Sequence, residues 1–404
     1  MKKGLLFLVI FISAATSFFP EQFYTSIIGG LSLSHLFIGG FLLFFFNYNI
    51  RNFASSDWKI INSLLFLCLF GLLSAIWSPY PLIAAIFGIK LFFISNVFIT
   101  VIILLKKQKL ELKDIIKMAK IVIVLTIVGQ IVGLILGVNV YGEENTSAGL
   151  SDNVSAIAGQ LLFVTPLILL SKNNKFQKLF LFLIFIAILL TLRRSSLISF
   201  FLIIIIIFLY NFFSKKTNIK AKFKSLFSIV GAGILISVIF ISTNIGSSFL
   251  NRVDELDPSQ EGTASGRYNF QGGGIDYVLD RDFIPNIMGE GMGYSLIVNI
   301  ENGFIPIGMH SDFLDIIIGL GFLGLIGFLL FYYRVFKISK RYTPGTPNFN
   351  SGIALLVALG SISLFSGGFF NINTIPGYIA LAYIYADAKY NLKNSTLRKI
   401  NVSK

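Results

Sequence analysis

The sequence predicts an all-α, polytopic integral membrane protein of about twelve transmembrane helices, and three observations carry that reading. Of its 404 residues, 55% are hydrophobic and 43 are phenylalanine, with a mean hydropathy of +0.81. Apolar runs long enough to cross a bilayer recur along the whole chain. Lysine and arginine collect in alternate connections between those runs. The alternating pattern of a β-barrel is absent.

The expected spans are roughly 4–20, 26–46, 60–77, 82–105, 119–138, 154–170, 177–192, 195–213, 226–243, 311–333, 352–370 and 375–390. The first, in MKKGLLFLVIFISAATS, has the basic head and short apolar run of a signal peptide. Its small-residue cleavage pattern is poor, and it serves better as a span. Residues 1–404 form one transmembrane domain without a soluble catalytic unit or internal repeat. Its single sizeable extramembrane element is residues 244–310, between the ninth and tenth spans. The stretch GRYNFQGGGIDYVLDRDF within it is expected to form a short helix at the interface.

Charge orients the chain. Lys2, Lys3, Arg51, Lys59, Lys106, Lys107, Lys172, Lys215, Lys216, Arg334, Lys337, Lys389 and their neighbours all fall on one side of a twelve-span arrangement. The positive-inside rule makes that side, and both termini, cytoplasmic. The net charge of +14 thus follows membrane topology, with no nucleic-acid partner implied. The opposite side carries no lysine, and the 244–310 loop holds nine acidic residues. Cys68 is the only cysteine, so an intramolecular disulfide is excluded.

Unusual charges mark the candidate site. Arg193 and Arg194, in IAILLTLRRSSLISFF, stand where the rule disfavours cations, and arginine's planar fork suits bidentate contact with phosphate. Lipid headgroups or Glu143 and Glu144 are the structural alternative for this pair. Lys90, inside the fourth span, either snorkels to the outer interface or lines the same cavity. Arg267 stands in the loop segment TASGRYNF. In MGEGMGYS, Gly291 and Gly293 permit tight turns and close approach to a ligand or helix; no strand–helix unit surrounds them, which excludes a dinucleotide fingerprint. MHSDFLDIIIGLGFLG opens on His310, Asp312 and Asp315. The carboxylates at i and i+3 suit a helix cap, and the histidine suits a general base or a partner for a sugar hydroxyl. His35, the only other histidine, has no evident partners and reads as structural. No metal-ligand spacing is evident.

These pieces occur in a familiar order. LTLRRSS, then SGRYNF, then IMGEGMGYS, then MHSDFLDIIIGLGFLGLIGFLLFYY resemble the O-antigen ligase and polymerase family of bacterial membrane glycosyltransferases, best over 190–335. Ser311 departs from the asparagine that many relatives have after the histidine. The resemblance implies a GT-C-like fold and metal-independent, inverting glycosyl transfer on the outer face of the bacterial inner membrane, with no cofactor. The donor would be a glycan on undecaprenyl pyrophosphate and the acceptor a glycan or a lipid, with a polysaccharide chain-length regulator as candidate protein partner. Arg193 or Arg194, with Arg267, would hold the pyrophosphate, and His310 would orient or deprotonate the acceptor hydroxyl. A lipid-linked glycan transporter is the competing class; repeated halves and midplane charges, its usual marks, are missing. Between polymerase and ligase, the acidic loop without a basic docking face favours a polymerase.

Overall fold

The computed structural model describes residues 4, 33–52, 58–138, 147–150, 154–214, 263–304, 308–365, 367–369 and 371–390. Among these residues the regular structure is entirely helical. In hydrocarbon every backbone polar group needs a partner, and a helix supplies it within one segment. The helices are α1 (Leu33–Asn52), α2 (Trp58–Leu73), α3 (Pro81–Lys106), α4 (Leu112–Ile135), α5 (Val154–Leu169), α6 (Asn174–Leu190) and α7 (Arg194–Phe213). They continue with α8 (Thr263–Asp280), α9 (Phe283–Met288), α10 (Ser295–Glu301), α11 (Asp312–Ser339), α12 (Pro347–Phe365) and α13 (Ile375–Tyr390). Five of them, α3, α4, α7, α11 and α12, are long and apolar enough to cross a membrane. The chain is a polytopic membrane protein.

A helix stands at the place of every expected span except 4–20 and 226–243, of which Gly4 alone is among the described residues. Two boundaries differ instructively. The expected span 352–370 is a helix that ends at Phe365, because the chain turns at Gly367 and Gly368, both with positive φ. The described part of the 244–310 segment is largely helical: α8 alone runs for 18 residues.

Helix α3 is the central strut, packing on α1, α2 and α13, while α12 packs on α5, α7 and α11. Lipid offers hydrophobic side chains no contrast, so polar contacts and close packing hold such a bundle. Asn49 of α1 donates to Thr100 Oγ1 at 2.9 Å and to Asn96 Oδ1 at 3.2 Å on α3. Gln130 of α4 donates to the Ala187 carbonyl of α6 at 2.8 Å. At the heart of the bundle, Phe369 meets Phe328 edge-on at 4.7 Å and Phe331 at 5.5 Å.

Helix α11 is broken. Gly321, in GLGFLG, has φ 61° and ψ −165°, which ends the first segment and frees its last carbonyls. Three of them find donors in the loop segment: Arg281 donates to Ile317 O at 2.6 Å and Ile318 O at 3.1 Å. The amides of Glu290 and Gly291 donate to Ile318 O and Gly319 O. The backbones touch here, since a side chain on Gly289 would overlap the Gly319 carbonyl and one on Gly321 the Ile287 carbonyl. Trp77 locks the contact by donating its indole N–H to Gly289 O at 3.1 Å. Gly289→Ala, at φ 72°, is therefore expected to cost roughly 2–5 kcal/mol from left-handed strain and overpacking together. A lower unfolding temperature in detergent would register it, and an unchanged one would remove the interlock from the account.

Candidate active site

A cavity of about 380 Å³ opens where α3, α5, α7 and α11 bring their N-terminal parts together, contributing Phe87, Ser155, Arg193, and Asp312 with Asp315. The other ends of α3 and α11 carry Lys106 and Lys337, so the cavity lies at the lysine-poor end of the bundle. His310 and Gly293 complete the group of sequence-predicted residues in its lining.

Arg193 reaches the cavity through a tight turn. Helix α6 stops at Thr191, whose hydroxyl donates to the Ile188 carbonyl at 2.6 Å. Leu192 takes φ 49°, and Arg193 is the extended N-cap residue of α7. It is 9% exposed. His310 has a comparable backbone, with φ 55°, and its ring stands 6.1 Å from that of Phe270 on α8. Holding a non-glycine residue in this region costs about 1–2 kcal/mol. Leu192 and His310 are two of the three such residues in the described chain. The turn at Leu192 presents Arg193, and His310 itself lines the same cavity, the usual place for stored backbone strain.

The two carboxylates differ in their partners. Asp312 is 1% exposed and accepts from the amide of Gly368 at 2.7 Å and that of Phe369 at 3.0 Å. It ties the start of α11 to the turn between α12 and α13, and so fixes a wall of the cavity. Asp315 accepts from the Met309 amide at 3.0 Å, with Ser295 as a side-chain partner. Neither carboxylate caps a free amide of its own helix: the N-cap residue is Ser311, without a side-chain cap.

The remaining expected residues fall around this lining. Arg194 begins α7 and is half-buried, outside the lining group. Lys90 places its ammonium 4.9 Å from the ring centroid of Phe87, itself a wall residue. Gly291 packs against Ser78 and Gly319, an interlock position. Arg267 belongs to α8, one turn before Phe270; its side chain lies outside the described residues, as does that of His35. Beside the cavity, burial raises the hydroxyl pKa of Tyr277 and, helped by Glu290, pushes that of Tyr294 up to about 12. Both tyrosines therefore remain neutral donors at physiological pH. Burial also lowers the pKa of Arg281.

Sequence reasoning missed Ser295, Gly308, Gly367 and Asn371, which also line the cavity. Gly308 stands two residues before the histidine, a legible position. Gly367 and Asn371 looked like the end of a span and a connection.

No curated protein matches the chain. Residues 179–329, which include the two arginines of the turn, Arg267, the glycine segment and the histidine with both carboxylates, match the family model described as O-Antigen ligase. A segment of this polytopic helical bundle is thus similar to the O-antigen ligase family.

Proposed function

We propose that this protein transfers glycan from undecaprenyl pyrophosphate on the outer face of the bacterial inner membrane, polymerising the repeat units of a surface polysaccharide. The observation that carries the reading is the joint presence of Arg193, His310 and Asp315 in one cavity at the lysine-poor end. A cation, a hydrogen-bonding imidazole and a carboxylate are what displacement of a pyrophosphate by a sugar hydroxyl requires. The compartment supplies a reason for the donor: nucleotide sugars are not available outside the cytoplasm, so activation must arrive on a lipid.

Arg193, with Arg194, Arg267 and Lys90 as supporting cations, stabilises the charge that grows on the departing pyrophosphate, the large term in such catalysis. His310 orients the acceptor hydroxyl for attack on the face opposite the leaving group, which inverts the anomeric configuration. Asp312 acts through the wall it holds, and Gly293 leaves bare backbone beside the substrate. The reaction needs no metal or cofactor. The acidic residues and absence of lysine along 244–310 favour a second lipid-linked repeat as acceptor. The family description favours the ligase reading, transfer of the finished glycan to a lipid core. A chain-length regulator would then act on the polymerase alone.

Deleting the gene tests both. Loss of the polymerase leaves single repeats on acceptor or carrier, whereas loss of the ligase strands long glycans on undecaprenyl pyrophosphate. Unaltered surface glycan would contradict both readings. Orientation has its own test: a reporter fused after Lys224 is expected in the cytoplasm and one placed within 255–285 outside. A cytoplasmic signal from the second would overturn the outer-face mechanism.

A further inference from the structure

We propose that Asp315 is the catalytic carboxylate on the acceptor side of the cavity, taking the proton of the sugar hydroxyl as it attacks the donor. This rests on the glycosyl-transfer reading above and assigns a step that reading leaves open.

Oδ1 of Asp315 accepts from the Met309 amide at 3.0 Å, which fixes the carboxylate. Oδ2 lies between two glycines of the cavity lining: a Cβ on Gly308 would stand 3.0 Å from it, and one on Gly367 3.4 Å. A side chain on Gly308 would crowd the whole carboxylate, since its Cβ would also stand 3.1 Å from Oδ1, whereas one on Gly367 would only touch Oδ2. Gly308 has an ordinary backbone conformation, outside the left-handed positions of the chain. Space beside the Asp315 carboxylate is therefore what its lack of a side chain provides. Gly367 also passes within 3.6 Å of the His310 backbone, measured from its ideal Cβ position. The same turn thus brings imidazole and carboxylate to one wall.

Asp312, the other carboxylate of the lining, has a different commitment. Both of its oxygens accept from backbone amides of 368–369, and removing it would open the wall. Asp315 lines the same cavity with a single backbone amide on it, at Oδ1, and Ser295, itself a lining residue, as its side-chain partner. Arg193 enters the cavity from α7 and Asp315 from α11, so cation and carboxylate sit on separate elements and can address opposite ends of one reaction.

The step balances without a further reactant. The acceptor oxygen forms a bond to the anomeric carbon, and the bond from that carbon to the pyrophosphate oxygen breaks. The electron pair leaves with the pyrophosphate, where arginine meets it. The hydroxyl proton passes to Asp315 Oδ2 and later to solvent. A positioned base of this kind contributes about 100- to 10,000-fold.

Azide separates the catalytic role from a structural one, because it is already an anion and needs no base. The assay uses purified full-length protein with undecaprenyl-pyrophosphate-linked repeat units and sodium azide. Asp315→Ala is expected to lose about 100-fold or more of glycan extension and to form glycosyl azide at least 10-fold faster than it extends glycan. Asp315→Asn keeps an acceptor for the Met309 amide and should behave the same way, which covers a folding failure of the alanine variant. Gly308→Ala is expected to slow extension about 10-fold, with a higher KM for the acceptor. Asp315→Asn extending glycan at the wild-type rate would overturn the proposal, as would a folded variant inert to azide. A wild-type protein that transfers nothing would instead defeat the functional reading beneath it.

Discussion

Arg193→Lys is expected to fold like the wild-type protein and to transfer glycan about 100-fold more slowly, a loss of ~2.7 kcal/mol in transition-state stabilisation. The charge survives the exchange, but the planar fork does not, and a lysine cannot meet two phosphate oxygens in one plane. The residue is 9% exposed and is presented by the strained turn at Leu192, so a flexible ammonium at this site has no solvent-like freedom to compensate. Turnover at saturating donor measures the effect, with thermal unfolding in detergent as the control. Arg194→Lys, outside the cavity lining, is expected to lose only several-fold. Equal losses in the two variants would show that the turn does not select between them.

His310→Gly is expected to abolish detectable transfer while leaving stability within about 1 kcal/mol of wild type. Glycine adopts φ 55° without the left-handed penalty of about 1–2 kcal/mol. That gain offsets the lost contact with the Phe270 ring. His310→Ala keeps the strain and loses the same contact, so it should be the less stable of the two and equally inactive. A residue kept only for packing would show the opposite: a destabilised glycine variant that still turns over. Initial rates and unfolding midpoints of both variants distinguish the cases.

Much of this site was legible in the sequence, for reasons that particular residues make clear. Lysine placement alone separated the two ends of the bundle, because the positive-inside rule acts on composition. His310, Asp312 and Asp315 stood out because titratable groups at the mouth of an apolar segment demand an explanation. Two paired arginines on a lysine-free side did the same. What escaped were relations between distant segments. Asp312 looked like a helix cap, yet its partners are the amides of 368 and 369, 56 and 57 residues away. Hydropathy had absorbed that turn into a span, since glycine is nearly neutral on any transfer scale. The break at Gly321 was hidden for the same reason: GLGFLG is apolar throughout, and only the donors of Arg281, Glu290 and Gly291 make a mid-helix interruption affordable.

The break also has a place in how the site holds its shape. The segment of α11 before Gly321 starts at the cavity and ends on Arg281 and the glycine loop. One short helical piece therefore carries Asp312 and Asp315 at its start and is clamped at its far end by α8–α10. Irregular backbone at membrane depth is tolerated where protein buries it, and here it sets the carboxylates apart from the lipid-facing remainder of the helix.

The most direct test of the account follows product from purified protein supplied only with undecaprenyl-pyrophosphate-linked repeat units, in buffer containing chelator and no nucleotide. The account predicts lengthening lipid-linked glycans with the new linkage inverted relative to the donor, and release of one undecaprenyl pyrophosphate per linkage formed. Absence of transfer under these conditions, with activity restored by a divalent metal or a nucleotide sugar, would contradict it.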